Sequence, residues 1–500
     1  MRPTPPPDIP PQPEPADPPP VAAPQALAAL WQLAGLPPAA LGQVDLPGSG
    51  QPVLPSSFAV ATAAQSSLAA AALAAAELWH LRQGGGAERQ RVTVDATHAT
   101  LDSTAWFTLD GVQPPIWDKL SGLYRCGEAL GTPGWVRIHA NFAHHRDGAL
   151  TLLGLPPGPD TERAQVTETL RHWRAEDFET AAAQANLVVA AARRFAEWDA
   201  HPQGQALAHT PPLRIAPIDG APPAPPIHWR GLRSGERPLT GLRVLELTRI
   251  LAGPVAGRTL AAHGADVLLL NSPHLPNIEA IADTSRGKRS AHVDLATADG
   301  RATLARLLGD AHVFLQGYRP GGLAAKGFSP QDLARQRPGI VSVALSAYGS
   351  NDGRSDSPWA QRRGFDSLVQ TATGFNWAEA EAANLDQPKA MPLQILDYAA
   401  GYLLAFGAQA ALWRQAREGG SWQVEVSLAG VGRWLRSLGR VPGGLAAVAP
   451  DVAPYLDAPQ ASGFGQLQGL RHGAQLSLTP PFYDRPSMPP GAHPAEWLQD

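Results

Sequence analysis

The sequence predicts an α/β protein with a parallel sheet, and three observations carry that expectation. Beyond residue 237, short runs rich in Val and Leu (RVLEL, ADVLLLN, HVFLQGY, GIVSVALSAYG) alternate with helical patterns, which is the rhythm of βαβ units. Helix boundaries fall where that rhythm needs them: Thr297 precedes ADGRATLARLL, Ser329 precedes PQDLARQ with Pro330 at the first helical position, and Gly264 sits where a helix must stop before the next strand. With 500 residues, 44% of them hydrophobic, the chain is also long enough to bury more than one core.

The N-terminal MRPTPPPDIPPQPEPADPPP has no apolar core of the kind a secretory signal requires, and its prolines forbid a helix, so residues 1–25 are expected to be a disordered Pro-rich tail. Residues 26–214 make a first half. The proline-rich IAPIDGAPPAPPIHW marks a linker over 215–236, and the second half, 237–440, opens at GLRVLELTRI. Residues 441–500 form a tail expected to return to the large domain, and each half is expected to fold as a unit. The Ala-rich run from Ser67 to Trp79 falls short of the roughly 20 residues that cross a bilayer, so no transmembrane helix is expected. A net charge of -4 without a basic stripe argues against nucleic acid as a partner. Cys126 is the single cysteine, which fits a reducing compartment and an expected cytoplasmic location.

The two halves share a pattern. Residues 54–96 can be laid over 392–428, matching Leu78-Trp79 to Leu412-Trp413: a small-residue helix, a Gly break, then a strand alternating Val with polar residues. In that overlay Ala63 stands opposite Asp397, so the second copy alone carries a carboxylate there.

Asp397 begins a helical pattern in MPLQILDYAAGYLLAFG, a segment otherwise apolar or small. A carboxylate there is either a helix cap or a functional group, and the small Ala399, Ala400 and Gly401 would let a ligand come close. Held near a helix N-terminus, it is able to attack a thioester carbonyl and form a mixed anhydride, given donors for the oxyanion. The turn TRILAGPVAGR, 248–258, lies between strand and helix, where backbone amides favour an anion; a tight turn that binds nothing is the alternative. GxGxxG and GxxxxGK are both absent, which removes the main support for dinucleotide and P-loop functions. Arg286, Lys288 and Arg289 in SRGKRS, and Arg319 in GYRPG, are placed to reach phosphates at one sheet edge or to be ordinary solvated surface. His139, His144 and His145 lack a carboxylate or cysteine at ligand spacing, so a surface or packing role is expected and no metal. Cys126 has no nearby partner base.

Six stretches between about 237 and 430 together resemble the class III CoA-transferases, the CaiB/BaiF family: GLRVLELTRILAGPVAGRTLAAHGADV, GKRSAHVDL, GYRPGGLAAKGF, ALSAYG, RRGFDSLVQTATGF, and LDYAAGYLLAFGAQAALW running on to QVEVSL. The closing MPPGAHPAEWL is similar to the family's PxLGxHxxEVL, with Pro490 in place of Leu. The resemblance implies a Rossmann-like parallel-sheet domain with a smaller α+β domain. It implies that Asp397 is acylated and then bears CoA, and it assigns Ala252, Gly253, Lys288, Arg289, Tyr318, Arg319 and Tyr348 to the CoA groove. Gly364, Phe365 and Asp366 match the family's G-[YFH]-D and join the site residues.

The implied function is transfer of CoA from an acyl-CoA to a small carboxylic acid through an aspartyl anhydride and an aspartyl-CoA thioester, with CoA thioester as substrate and no permanent cofactor. The racemase branch of the family has His at the middle of G-[YFH]-D as a proton-transfer base, and Phe365 cannot move a proton, which favours transferase over 2-methylacyl-CoA racemase or isomerase. A non-catalytic CoA-binding protein is the further alternative. Two departures stand out: the second strand ends in Leu269, Leu270, Asn271 and Ser272 where the family has Lys-x-Glu-Arg/Pro, and Gly317 replaces the Asn of N-F-R-P-G. Nucleotide contacts at those positions are not implied for this chain. The first half resembles the family's C-terminal portion through VTVDATHA and LYRCGEALGTPGWVRIHANF, so the small domain precedes the large one, and Ala63 implies that the first copy is not itself catalytic. A self-contained monomer and an interlocked homodimer both stay open, with no membrane or nucleic-acid partner expected.

Overall fold

Val- and Leu-rich segments of four to six residues are too short for buried helices and form strands instead. In the computed structural model, which describes residues 19–86, 88–349 and 357–498, four of them join two further strands in a six-stranded parallel sheet. Numbered in chain order the six are β1 (Arg243–Leu247), β2 (Asp266–Asn271), β3 (Arg289–His292), β4 (Val313–Gln316), β5 (Val341–Ser346) and β6 (Trp422–Ser427). They lie in the order 3-2-1-4-5-6, the arrangement of a doubly wound sheet. The strand Arg214–Pro217 adds an antiparallel edge beside β6, so the expected linker opens with ordered strand. Strand order reverses between β1 and β4, and the crevice outside their carboxyl ends is where such sheets bind ligands.

Two helices fix that crevice. Ala252–Ala262 follows β1, and Ile395–Glu418 runs before β6. Their close approach needs glycine: an added Cβ at Gly401 would lie 2.7 Å from the Ala252 carbonyl oxygen. The second helix is long and apolar enough to cross a membrane by length and composition, yet its apolar window is wholly buried in the protein, as a core helix is.

The duplicated pattern is visible as structure. Val60–Arg82, the strand Val92–Val94 and the helix Ala96–Asp102 repeat the succession of Ile395–Glu418, β6 and Leu428–Ser437. Both succeeding helices are capped by the residue at the strand-to-helix junction, Asp95 accepting from the His98 N–H and Ser427 from the Gly430 N–H. The two long helices pack on each other, with Gln409 Nε2 donating to the Ala71 carbonyl at 3.0 Å.

The halves are therefore not independent units, which corrects the expectation from sequence. One apolar core draws on Leu68 and Leu73 from the first half and Leu403 and Phe406 from the second. Buried Arg258 pairs with Asp283 of its own half and, at 3.0 Å, with Asp102 of the other, while the Tyr402 hydroxyl donates to Asp102 at 2.8 Å. The small domain does have a core of its own: the sheet Gly122–Cys126, Gly134–Ile138 and Val189–Ala191 packs Tyr124, Val136 and Phe178 against its helices. Cys126 is buried there and its thiol is pushed up to about 12 by burial, so it is no nucleophile. The C-terminal segment returns to both halves: Gly465–Gly469 pairs with Phe107–Leu109, Ala474–Leu476 pairs with Val92–Val94, and the His493 N–H then donates to the Ser290 carbonyl of β3 at 2.8 Å. At the N-terminus a helix starts at Ala23, inside the expected tail, whose residues 1–18 lie outside the described residues.

Candidate active site

Asp397 occupies the first turn of Ile395–Glu418 and does not cap it. The cap comes from elsewhere in the chain: Asp366, at the start of helix Asp366–Ala372, accepts the Asp397 N–H at 2.9 Å and the Leu396 N–H as well. Asp366 thus positions the helix start, and the Asp397 side chain is left without a hydrogen-bond or ion-pair partner among the described residues while bordering two cavities. Burial first, and the Asp366 charge second, raise the Asp397 carboxyl well above the ordinary carboxylate range. Asp366 itself is pushed up to about 7 by burial, against the opposing effect of its hydrogen bonds and the Arg137 charge.

The larger cavity, about 670 Å³, opens at the carboxyl ends of β1, β4 and β5, where strand order reverses. Arg249, Arg319 and Arg363 line it, with Arg362 paired to Glu179 at 3.3 Å, so its field is positive. The smaller one, about 220 Å³, runs between the large sheet and the small domain, with Trp117, Arg137 and His139 on one side and Ile250, Met391 and Tyr398 on the other. Ile250, Leu251, Phe365 and Asp397 border both, so the carboxyl group stands where the two spaces meet. Ile250 has φ +76°, a left-handed conformation that a β-branched residue rarely adopts, and it turns the chain sharply into the helix at Ala252.

Of the residues singled out from sequence, Ala252, Tyr318, Arg319, Gly364, Phe365 and Asp397 line the larger cavity together. Gly253 lies in the adjoining helical turn, where an added Cβ would come 2.4 Å from Thr248 Cβ, and Asp366 stands behind Asp397. Three groove assignments are corrected. Lys288 is sealed in the interior, its Nζ donating to Glu246 Oε1 at 3.0 Å and to the Pro254 carbonyl at 2.8 Å, so it fastens helix Ala252–Ala262 to β1. Arg289 pairs with Asp266 on the neighbouring strand at 2.9 Å and donates to the Glu496 carbonyl. Tyr348 is buried against Trp198 and Trp359, away from both cavities.

The positive lining comes largely from residues that sequence reasoning passed over. Arg249 lies inside TRILAGPVAGR and Arg362 and Arg363 abut Gly364-Phe365-Asp366, so adjacency to quoted motifs was the available signal. The histidines pack against aromatic rings and also line the cavity walls, His139 in the smaller and His144 and His145 in the larger. His139 stacks on Phe365 with ring centroids 4.1 Å apart, and Arg363 Nη1 donates to His145 Nε2 at 3.2 Å. Burial holds both imidazoles neutral by driving their pKa down to about 3. No group of three or more His, Cys, Asp or Glu able to hold a metal occurs among the described residues.

A doubly wound sheet whose switch point presents an unpaired carboxyl group to a positive cavity defines a candidate site for covalent acyl chemistry on an anionic carrier. Comparison with known proteins gives a partial family match: residues 239–438 match the model of CoA-transferase family III. An acyl-CoA transferase of Gibberella moniliformis is 28% identical over 386 residues, covering 70% of this chain and 66% of that protein. A succinate–glutarate CoA-transferase of Agrobacterium fabrum is 32% identical over 256 residues, covering 45% and 62%. A crystal structure of a CaiB/BaiF family protein from Brucella suis matches at 27% identity and a TM-score of 0.36 over 46% of this chain and 65% of that one. The chain thus spans less than two thirds of the length of each of these relatives.

Proposed function

We propose that this protein moves CoA from an acyl-CoA to a carboxylic acid through covalent intermediates on Asp397. The observation that carries the reading is the unpaired Asp397 carboxyl group at the junction of a positive and a mainly apolar cavity. Relatives named CoA-transferases and the family match over 239–438 support it.

An Asp397 oxygen attacks the thioester carbonyl, the C–S bond breaks, and CoA leaves as thiolate, giving a mixed anhydride. The thiolate then attacks the Asp397 carbonyl, releasing the first carboxylate and leaving an aspartyl-CoA thioester. The acceptor carboxylate attacks that thioester, its C–S bond breaks to release CoA thiolate again, and a second anhydride forms. The thiolate finally attacks the acceptor's carbonyl, forming the new acyl-CoA and restoring Asp397. Arg249, Arg319 and Arg363 face the space suited to CoA phosphates, and the smaller cavity takes the acyl group. The N–H groups of Ala252 and Gly253, in a helical first turn without intrahelical acceptors, are the donors nearest in kind to an oxyanion hole. Residues from both halves of this one chain line the site.

A second reading, 2-methylacyl-CoA racemase, is favoured by one observation: neutral His139 stacks on the Phe365 ring at the edge of the same cavity and has a proton-accepting nitrogen that Phe365 lacks. Intact-mass spectrometry of wild type and Asp397→Ala with a panel of acyl-CoAs, trapped with hydroxylamine, tests the transferase. A hydroxamate mapped to Asp397 is expected in wild type alone. CoA binding without any such adduct would leave a binding protein, and deuterium uptake at C2 of 2-methylbutyryl-CoA without CoA exchange would indicate the racemase.

A further inference from the structure

Arg137 is an oddity that acyl transfer alone does not use. It lies on Gly134–Ile138, the central strand of the small-domain sheet, with neighbours hydrogen-bonded on both sides, so its backbone is held firmly. Its side chain is only 7% exposed and lines the smaller cavity that ends at Asp397. Among the described residues no carboxylate lies within ion-pairing distance of it and no acceptor takes a hydrogen bond from its guanidinium. The nearest structural explanation is insufficient. Asp366 feels the Arg137 charge, but the Asp366 oxygens are already occupied by the N–H groups of Leu396 and Asp397 and by Gln370. Glu279, at the rim of the cavity, is exposed and forms no pair with it. A buried charge normally comes with a partner, because desolvation without one is costly.

The surroundings fit a partner that arrives with the substrate. Trp117 covers one face of the guanidinium, 5.5 Å from its carbon to the ring centroid, which holds the plane while leaving the N–H edges free for a carboxylate. Ile250, Met391 and Leu393 make the path between Arg137 and Asp397 apolar, and a volume of about 220 Å³ suits a short chain. We infer that the acyl group handled at Asp397 carries a second carboxylate, which Arg137 binds, so that the substrates are short dicarboxylates and their ω-carboxyacyl-CoA thioesters. This rests on the reading of Asp397 given above and adds a specificity determinant in the small domain.

Two measurements test it separately from that reading. Calorimetric titration of the whole protein with succinate and with butyrate requires no chemistry at Asp397. Wild type is expected to bind succinate on the order of 10- to 100-fold more tightly, the range of a buried charge-assisted contact. Arg137→Met should erase the difference and Arg137→Lys should restore part of it. Hydroxylamine trapping with succinyl-CoA against butyryl-CoA should show the same preference in the rate of Asp397 labelling. Equal binding of the two acids by wild type, or a preference that survives in Arg137→Met, overturns the inference even if Asp397 is acylated. Succinate preference that depends on Arg137 with no acylation of Asp397 by either thioester would sustain the dicarboxylate site and sink the transferase.

Discussion

The two copies of the helix–strand–helix pattern differ at one end. In the second copy the helix Ile395–Glu418 starts at cavities of about 670 and 220 Å³ and presents Asp397 to both. In the first copy the helix Val60–Arg82 starts against Val53, Leu54 and Phe58, around a space of only about 10 Å³, and has Ala63 in the corresponding turn. Similar backbone is thus put to different use. Loss of the carboxyl group goes with loss of the space it would act in, and the first half contributes Trp117, Arg137 and His139 as walls of the other copy's site. The proposed chemistry needs a free carboxylate, a second carboxylate to hold its helix start, and room on both sides, and this chain assembles them only once among its described residues.

The strongest way to break that comparison is to exchange the two residues. Asp397→Ala should abolish the trappable adduct, while Ala63→Asp should create none. The latter should also lower stability in urea by on the order of 3 kcal/mol or more, because it buries a carboxyl group in a filled core. An adduct on the carboxylate introduced by Ala63→Asp would show that the first copy keeps a latent site. Next in size is the tie between the halves. Arg258→Met leaves Asp102 and Asp283 buried without their cation and should cost about 3–5 kcal/mol, with loss of both halves in one urea transition. Two separated transitions in wild type would contradict the shared core.

A subtler difference is electrostatic. The Asp366 carboxyl is raised to about 7 in the folded protein from an ordinary value near 3.8, so the folded state holds more protons between those limits. Its contribution to stability is therefore present at low pH and lost as pH rises from about 4 to about 7, by on the order of 4 kcal/mol. Asp366→Asn should flatten that slope in urea titrations, and should move the pH midpoint of Asp397 acylation downward by removing the neighbouring negative charge. The smallest effect separates cavity cations from structural ones. Arg363→Gln should weaken CoA binding by about 3- to 10-fold, near 1 kcal/mol, whereas Arg289→Gln, on the edge strand, should leave CoA affinity unchanged.

Much of this was legible before any coordinates. The strand rhythm is a consequence of burial on both faces, which demands continuous Val and Leu, and it pointed to the parallel sheet that the second half forms. Asp397 stood out because a carboxylate in an otherwise apolar helix start has few uses. Its freedom from capping was not legible, because the capping group, Asp366, is supplied by another segment 31 positions away. The failure over Lys288 is instructive in the same way: SRGKRS reads as basic surface until the carboxylate of Glu246, inside the apolar RVLEL, is taken as its partner. A charge embedded in a buried strand was the signal. Arg137, Trp117 and His139 were illegible as site residues because they come from the other half of the chain, and only tertiary packing brings them to Asp397.

The central claim, that Asp397 exchanges oxygen with the acids it serves, is tested most directly by isotope transfer. Wild-type protein is taken through a single turnover with an acyl-CoA and a carboxylate acceptor labelled with oxygen-18 in both oxygens, and the peptide containing Asp397 is weighed after digestion. Passage through the second anhydride leaves one labelled oxygen on Asp397, so a single heavy oxygen in that peptide is the predicted result. Formation of the new acyl-CoA with Asp397 still unlabelled would contradict the covalent route.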